Sequence, residues 1–449
     1  MKNKTTVLFL LIFCLSAQSQ VLTLSEAIQT GIEHNLTLKE GEEDVRKMRF
    51  AKSESRARLL PVIEGFANFQ DHVERGVQIT DGSTLSQLLY PVTHTDIPYL
   101  QNKGLRYNTS AGVQLVLPLY NQTIYTSMKI ADKMLEMSRY SMEKAKEDLT
   151  VEICKIYYQA QITTEQINLI QKNRDVLEEL SAFTRAFNEN GMALDVDVKR
   201  VEINLENLSV QCENAKVLYE QQLNVLKYIL DISPESRFEL EQVDTSEQQN
   251  HFNTGLFDRL YELKMLDAQK EILEQQKKAV NVGYTPSLSF ITQLGTINSV
   301  DNFDKYFYKE PPSEWHWAFY WGFSLKVPIF DGLAKKYQAD KIKVDYRKSK
   351  FAREDAEKKL NEQYQNMLLE WENNNRNFQR QKDNYTLAEE VYNLTFNRYK
   401  EGLASMSELL QDEMSENNAQ NNYLSALYQC KVSEIGLMKL TGTINNYIK

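Results

Sequence analysis

Glycine and proline are scarce, at 16 and 9 in 449 residues. Both punctuate secondary structure, so their scarcity argues against a string of small domains and for long uninterrupted elements. Cysteine is scarcer still. Of the four, Cys14 lies in an N-terminal apolar run, while Cys154, Cys212 and Cys430 lack the paired spacing of a disulfide framework or a metal site. The five histidines, at 34, 72, 94, 251 and 316, are scattered, so no metal and no cofactor is indicated. There is no P-loop, GxSxG elbow or HExxH, and hence no signal for an enzyme. Past the first twenty residues no run approaches the roughly 18 apolar residues of a membrane-spanning helix, so any crossing has to be made by strands. Basic residues are outnumbered 52 to 62, which disfavours nucleic acid as a partner.

What is present begins with a leader. Residues 1–20 read as a secretory signal: Lys2 and Lys4, the apolar run from Val7 to Leu15, then Ala17 and Ser19 around a small-x-small cleavage site. Bulky Ile12 and Phe13 before Cys14 speak against a lipidated N-terminus.

The remainder is self-similar. Leu36 to Pro61 aligns with Tyr261 to Pro286, LVLPLY at 115–120 with LKVPIF at 325–330, and Phe187 to Val198 with Arg398 to Leu409. Each copy runs helix, proline, strand, loop, strand, proline, long helix, glycine, helix. Proline breaks helix interiors and central strands, and Pro61, Pro118, Pro286 and Pro328 mark the four strand junctions. Pro91, Pro98, Pro311 and Pro312 fall in the interstrand loops. Segments 119–190 and 329–401 lack proline and contain only Gly332 as glycine, so each predicts a helix of roughly 105 to 110 Å at 1.5 Å per residue. The expected organisation is a first repeat over 21–231, a polar connection over 232–254, and a second repeat over 255–449. Thr23 and Glu26 spell a capping box for the first helix.

Strand signals cluster before the long helices. WHWAFYWGFSLKV at 315–327 alternates strictly, with Trp315, Trp317, Phe319, Trp321, Phe323, Leu325 and Val327 on one face. Such a face suits lipid and interfacial aromatic belts, the competing reading being one face of a soluble sandwich. Tyr107 to Leu117 alternates less cleanly. Residues 287–297 and 62–71 give two weaker strands. Four strands are too few to close a barrel, so several copies would have to share one. The polar loops 73–106 and 298–314 are expected outside.

This order, with LTLSEAIQTGIEHNLTL at 22–38, LVLPLYN at 115–121, LKVPIFDG at 325–332 and NRYKEGLASMSELL at 397–410, resembles the TolC-like family of outer-membrane efflux proteins. The resemblance implies a mainly α protein with membrane β: long helical hairpins forming an α-helical barrel, and four strands per protomer in a 12-stranded barrel shared by a homotrimer. It implies an outer-membrane location with the helical part in the periplasm. The implied partners are outer-membrane lipid, a periplasmic adaptor (membrane fusion) protein, and an inner-membrane pump or ABC exporter. The implied activity is that of a passive exit duct for tripartite efflux or type I secretion. The competing class is a periplasmic helical-hairpin scaffold or adaptor without a pore, which would leave the aromatic strand unexplained.

By the same resemblance, two hairpin tips form the periplasmic mouth and dock the adaptor. The first tip comprises Gly191, Met192, Ala193, Leu194 and Asp195. The second comprises Arg398, Tyr399, Gly402, Leu403, Ala404, Ser405 and Met406. Asp197 and Glu408, each six residues after a tip glycine, are gate candidates. The family pattern expects another acid at the position of Gln411, and Asp412 stands beside it. Two readings of these acids stay open, because carboxylates early in a helix also favour its dipole, and Ser405 with Glu408 spells a capping box.

Overall fold

The computed structural model describes residues 20–74, 77–80, 100–103, 105–243, 260–307 and 314–445. The expected leader up to residue 19, four loop prolines and the 244–254 part of the polar connection lie outside these residues. In chain order the elements are β1 (Gln20–Leu22), α1 (Leu24–His34), α2 (Leu36–Ala57), β2 (Val62–Asp71), β3 (Val77–Thr80), β4 (Leu100–Lys103), β5 (Tyr107–Tyr120), α3 (Gln122–Glu189) and α4 (Asp195–Leu230). They continue as β6 (Phe238–Leu240), α5 (Tyr261–Val282), β7 (Ser287–Val300), a 3₁₀ turn (Phe303–Phe307), β8 (His316–Lys326), α6 (Ala334–Lys400) and α7 (Met406–Thr441). Helices α3 and α6 run 68 and 67 residues, and α4 and α7 run 36 each, so the twofold repeat of the sequence is a repeat of structure.

The chain divides into two compact units. The first comprises residues 1–46, 136–268 and 349–449. It is held by apolar seams along the helices. Near the N-terminus, Ala27, Ile28, Ile153, Tyr157, Leu226 and Leu230 are buried in one cluster. Thr23 caps α1 with Glu26 in a reciprocal box, which satisfies two amide donors that the first turn leaves free. Asn35 then turns the chain: its Oδ1 accepts from the amides of Thr37 and Leu38 while its Nδ2 donates to the Ile229 carbonyl at 2.9 Å. The polar stretch after α4 is not wholly irregular. Its β6 pairs in parallel with β1, and the Tyr157 hydroxyl donates to the Leu22 carbonyl at 2.7 Å.

The second unit comprises residues 47–135 and 269–348. Its centre is an antiparallel sheet of order β2-β5-β7-β8. Directly opposed residues share a face, so the register assigns two faces. One carries Ile63, Ala67 and Phe69 of β2, Val113, Leu115 and Leu117 of β5, Leu288, Phe290 and Leu294 of β7, and Trp317, Phe319, Trp321, Phe323 and Leu325 of β8. The other carries mainly polar residues, including Glu64, Asn68, Gln114, Gln293, Tyr320, Ser324 and Lys326. Gly112 and Gly295 face each other across β5 and β7, and a side chain on Gly112 would meet the Leu294 carbonyl oxygen. The Phe66 ring covers both glycines. The loop between β2 and β5 is not featureless, since β3 and β4 pair as an antiparallel ribbon.

Candidate functional site: hairpin tips and the aromatic sheet

Both tips of the first unit close by the same backbone device. The amide of Gly191 donates to Asn188 and that of Met192 to Phe187, while Gly402 donates to Tyr399 and Leu403 to Arg398. These are Schellman caps, which require a left-handed residue after the helix end. Gly191 and Gly402 supply it at φ +71° and +73°, conformations that a side chain disfavours.

Beyond the caps the two tips differ. In the first, the Asn188 Nδ2 donates to the Ala193 carbonyl at 3.0 Å, and Leu194 occupies the cap position of α4 without a capping side chain. Asp195 pairs with Lys199 and Asp197 with Arg200, both inside the same helix. In the second, Ser405 Oγ accepts from the Glu408 amide at 3.1 Å. The reciprocal half of the box does not form: Arg398 Nη1 takes the Glu408 carboxylate at 3.2 Å, and its Nη2 donates to the Leu403 carbonyl. Arg398 is ten residues from Glu408, across the turn, and outcompetes the local backbone because it offers a charged partner.

Side-chain exposure divides the tip residues. Met192, Leu194 and Leu403 are each about two-thirds exposed. Ala193 and Ala404 are half-buried, and Tyr399 and Met406 are buried in a cluster with Leu177, Leu180, Val201, Phe396 and Leu409 that joins the two hairpins. Polar ties reinforce that junction, from Lys400 to Glu179 at 2.6 Å, Lys172 to Glu389 at 2.5 Å, and Asn204 to Glu413 at 3.1 Å. Gln411 is exposed and Asp412 half-buried. Among the described residues no ion pair or hydrogen bond brings Asp197 together with Glu408, Gln411 or Asp412.

Sequence reasoning missed two acids. Glu413 and Glu416 are 7 % and 6 % exposed on the inner stripe of α7. Burial pushes both carboxyls up to about 7; the Asn204 hydrogen bond works against this at Glu413, while at Glu416 the nearby Glu389 adds to it and Lys172 opposes it. The signal was available: Met406, Leu409, Glu413, Glu416, Gln420, Tyr423, Leu427 and Cys430 step by 3, 4, 3, 4, 3, 4 and 3, the spacing of a helix seam.

In the second unit, Trp317, Phe319, Trp321 and Phe323 are 62–77 % exposed, so no described residue covers the β8 side of the apolar sheet face. Trp315 is exposed and falls one residue before β8. Phe290, Trp321 and Phe323 contact one another with ring centroids 5.7–6.4 Å apart. At the far end of the same face Phe69, Tyr107, Phe303 and Tyr306 form a second aromatic group. No described helix is long and apolar enough to cross a membrane. Among the described residues no group of three or more His, Cys, Asp or Glu is placed to hold a metal ion.

The fold resembles the outer-membrane channel OprN, with 14 % identity over 93 % of this chain and 89 % of that one and a TM-score of 0.71. It resembles the outer membrane protein VceC of Vibrio cholerae at 13 % identity, covering 93 % and 96 %, with a TM-score of 0.70. It resembles the open state of the MtrE outer membrane channel of Neisseria gonorrhoeae at 19 % identity, covering 93 % and 88 %, with a TM-score of 0.70. At these identities the likeness concerns the fold. No curated protein matches the chain. The outer membrane efflux protein family model matches residues 27–230 and 285–443, which takes in most of both repeats, including both long hairpins and all four strands of the sheet, and the chain therefore belongs to that family of outer-membrane efflux ducts.

Proposed function

We propose that three copies of this chain join through their sheets to form one passive conduit, which receives cargo from a periplasmic adaptor and an inner-membrane pump or ABC exporter. The observation that carries the reading is the four-stranded sheet, in which, among the described residues, β2 and β8 are unpaired on one side each and the apolar face with its aromatic β8 is uncovered. An open sheet of this kind cannot lie in lipid with bare edges. Pairing β8 of each copy with β2 of the next closes twelve strands. Dimensions suit a bilayer: Tyr107 to Leu117 spans about 33 Å of strand, and at a barrel tilt of roughly 40° this is close to the ~25 Å apolar band of such barrels. A scaffold without a pore would have no use for that face.

The tips supply the mouth. Exposed Met192, Leu194 and Leu403 offer apolar contacts to the adaptor. Asp197 and Glu408, repeated three times, would place six carboxylates near the entrance, and rings of acids favour cations. No step consumes nucleotide here, so the work of transport comes from the pump. Single-channel recording in planar bilayers tests this. The protein should give stepwise, cation-selective conductance, and Asp197→Asn with Glu408→Gln should lower the cation-to-anion permeability ratio severalfold. Absence of conductance by the purified protein would refute the duct, and unchanged selectivity would remove these two acids from the gate.

A further inference from the structure

The charge of the chain is unevenly spread. The whole sequence carries −10, yet the four stretches that adjoin the sheet in the second unit, residues 47–61, 122–135, 269–286 and 329–348, hold 16 Lys and Arg against 7 Asp and Glu, a net of +9. These stretches converge on one end of the sheet, because β2 and β7 begin there and β5 and β8 end there. Some of the cations tie the helices to one another, as Lys52 does with Asp132 and Lys133 with Glu271. Others do not. Between α5 and α6 lies a groove of about 730 Å³ whose lining includes Leu273 and Ile342 together with Lys277, Lys278, Lys343 and Arg347. Lys343 pairs with Asp340, whose carboxylate the Lys277 charge also favours, whereas Lys278 and Arg347 make no ion pair with a carboxylate among the described residues. The acid in the lining, Glu274, is engaged by the Tyr346 hydroxyl.

A second feature sits beside the cations. Between the end of β8 and the start of α6, Ile329 and Phe330 are 93 % and 78 % exposed. Lys335 lies 4.6 Å from the centre of the Tyr284 ring. Cations next to exposed apolar and aromatic side chains, at the edge of an apolar sheet face, match a molecule with an anionic head and an apolar tail. A soluble polyanion would be met by the cations and would have no use for Ile329 and Phe330.

We propose that the α5–α6 groove binds the phosphate headgroup of an anionic phospholipid from the periplasm-facing leaflet of the outer membrane. This rests on the outer-membrane placement of the sheet. Near a membrane surface each cation strengthens binding to anionic lipid roughly fivefold, and the effect is screened by salt. The full-length protein, purified in detergent, is to be incubated with phosphatidylglycerol or phosphatidylcholine and its retained lipid counted by native mass spectrometry. The unsubstituted protein should retain phosphatidylglycerol on the order of tenfold more strongly, with the preference shrinking at high salt and surviving excess inorganic phosphate. Lys277→Gln, Lys343→Gln and Arg347→Gln together should abolish the preference while leaving the folded, heat-modifiable form intact. Equal retention of the two lipids, an unaltered preference in the triple variant, or displacement by inorganic phosphate would overturn the proposal. So would binding to purified cell-wall sacculi that the triple variant loses without any lipid preference. Recovery of the unsubstituted chain in the soluble fraction would refute the membrane placement itself, which is a separate outcome.

Discussion

Replacing Phe319 and Trp321 together by lysine is expected to keep the protein from assembling in the outer membrane, whereas Tyr320→Lys with Ser324→Lys is expected to leave assembly largely intact. The two pairs lie on the same strand and occupy opposite faces of the sheet. Trp321 is central in β8, so its face would meet the middle of the apolar band. A lysine there costs roughly 2–4 kcal/mol, and two cost twice that if they act independently. A loss of that size is comparable to the whole stability of many domains. On the polar face a lysine would meet the water-filled lumen, where Lys326 already stands on the same side. The measurement is the fraction of heat-modifiable protein in outer-membrane extracts. Equal loss from both pairs would mean that the aromatic face does not meet lipid.

The second large effect concerns pH. Glu413 and Glu416 are protonated in the folded protein up to about pH 7, against an ordinary value of 4.5. The groups around them are Asn204 from α4, Lys172 from α3, and Glu389, Tyr385 and Tyr392 from α6. Between pH 4.5 and 7 the folded state holds protons that the unfolded chain has released, so stability falls as pH rises. The contribution is complete below about pH 4.5 and gone above about pH 7. A shift of this size corresponds to roughly 3 kcal/mol for each carboxyl. Glutamine imitates the protonated acid. Glu413→Gln with Glu416→Gln should therefore raise the melting temperature at pH 8 and leave it almost unchanged at pH 5. The depressed acids Asp331 and Asp340 titrate below this window and cancel in the comparison. An equal change at both pH values would show that the two acids ionise normally in the seam.

The fold class was legible because its signals are long. Two proline-free stretches of some seventy residues predict long helices, and a strand with four aromatic residues on one face declares itself without neighbours. Short elements were not legible. β1 and β6 are three residues each, and β3 and β4 are four, too short for any alternation to register. Their existence depends on pairing between segments distant in sequence. At the tips, the glycines between long helices were visible as breaks, and the left-handed φ follows from the chemistry of helix ends. The partner of Glu408 was not visible. Ser405 and Glu408 satisfy a local pattern, but Arg398 folds back across the turn and captures the carboxylate, a competition settled in three dimensions. The buried acids were within reach of sequence reasoning. Their heptad positions place them on the inner stripe, and the habit of assigning carboxylates to solvent hid them.

The central claim is that open sheets of three copies close into one barrel, and a disulfide ladder tests it most directly. One cysteine placed on β2 and one on β8, at positions that would oppose each other across the shared edge, should be oxidised in intact membranes and run on a denaturing gel. Cys154, Cys212 and Cys430 are free but buried, so the new pair should dominate the reaction. The account predicts bands of one, two and three chains, with the series ending at three. A product that stays at one chain, or a series that continues beyond three, would contradict it.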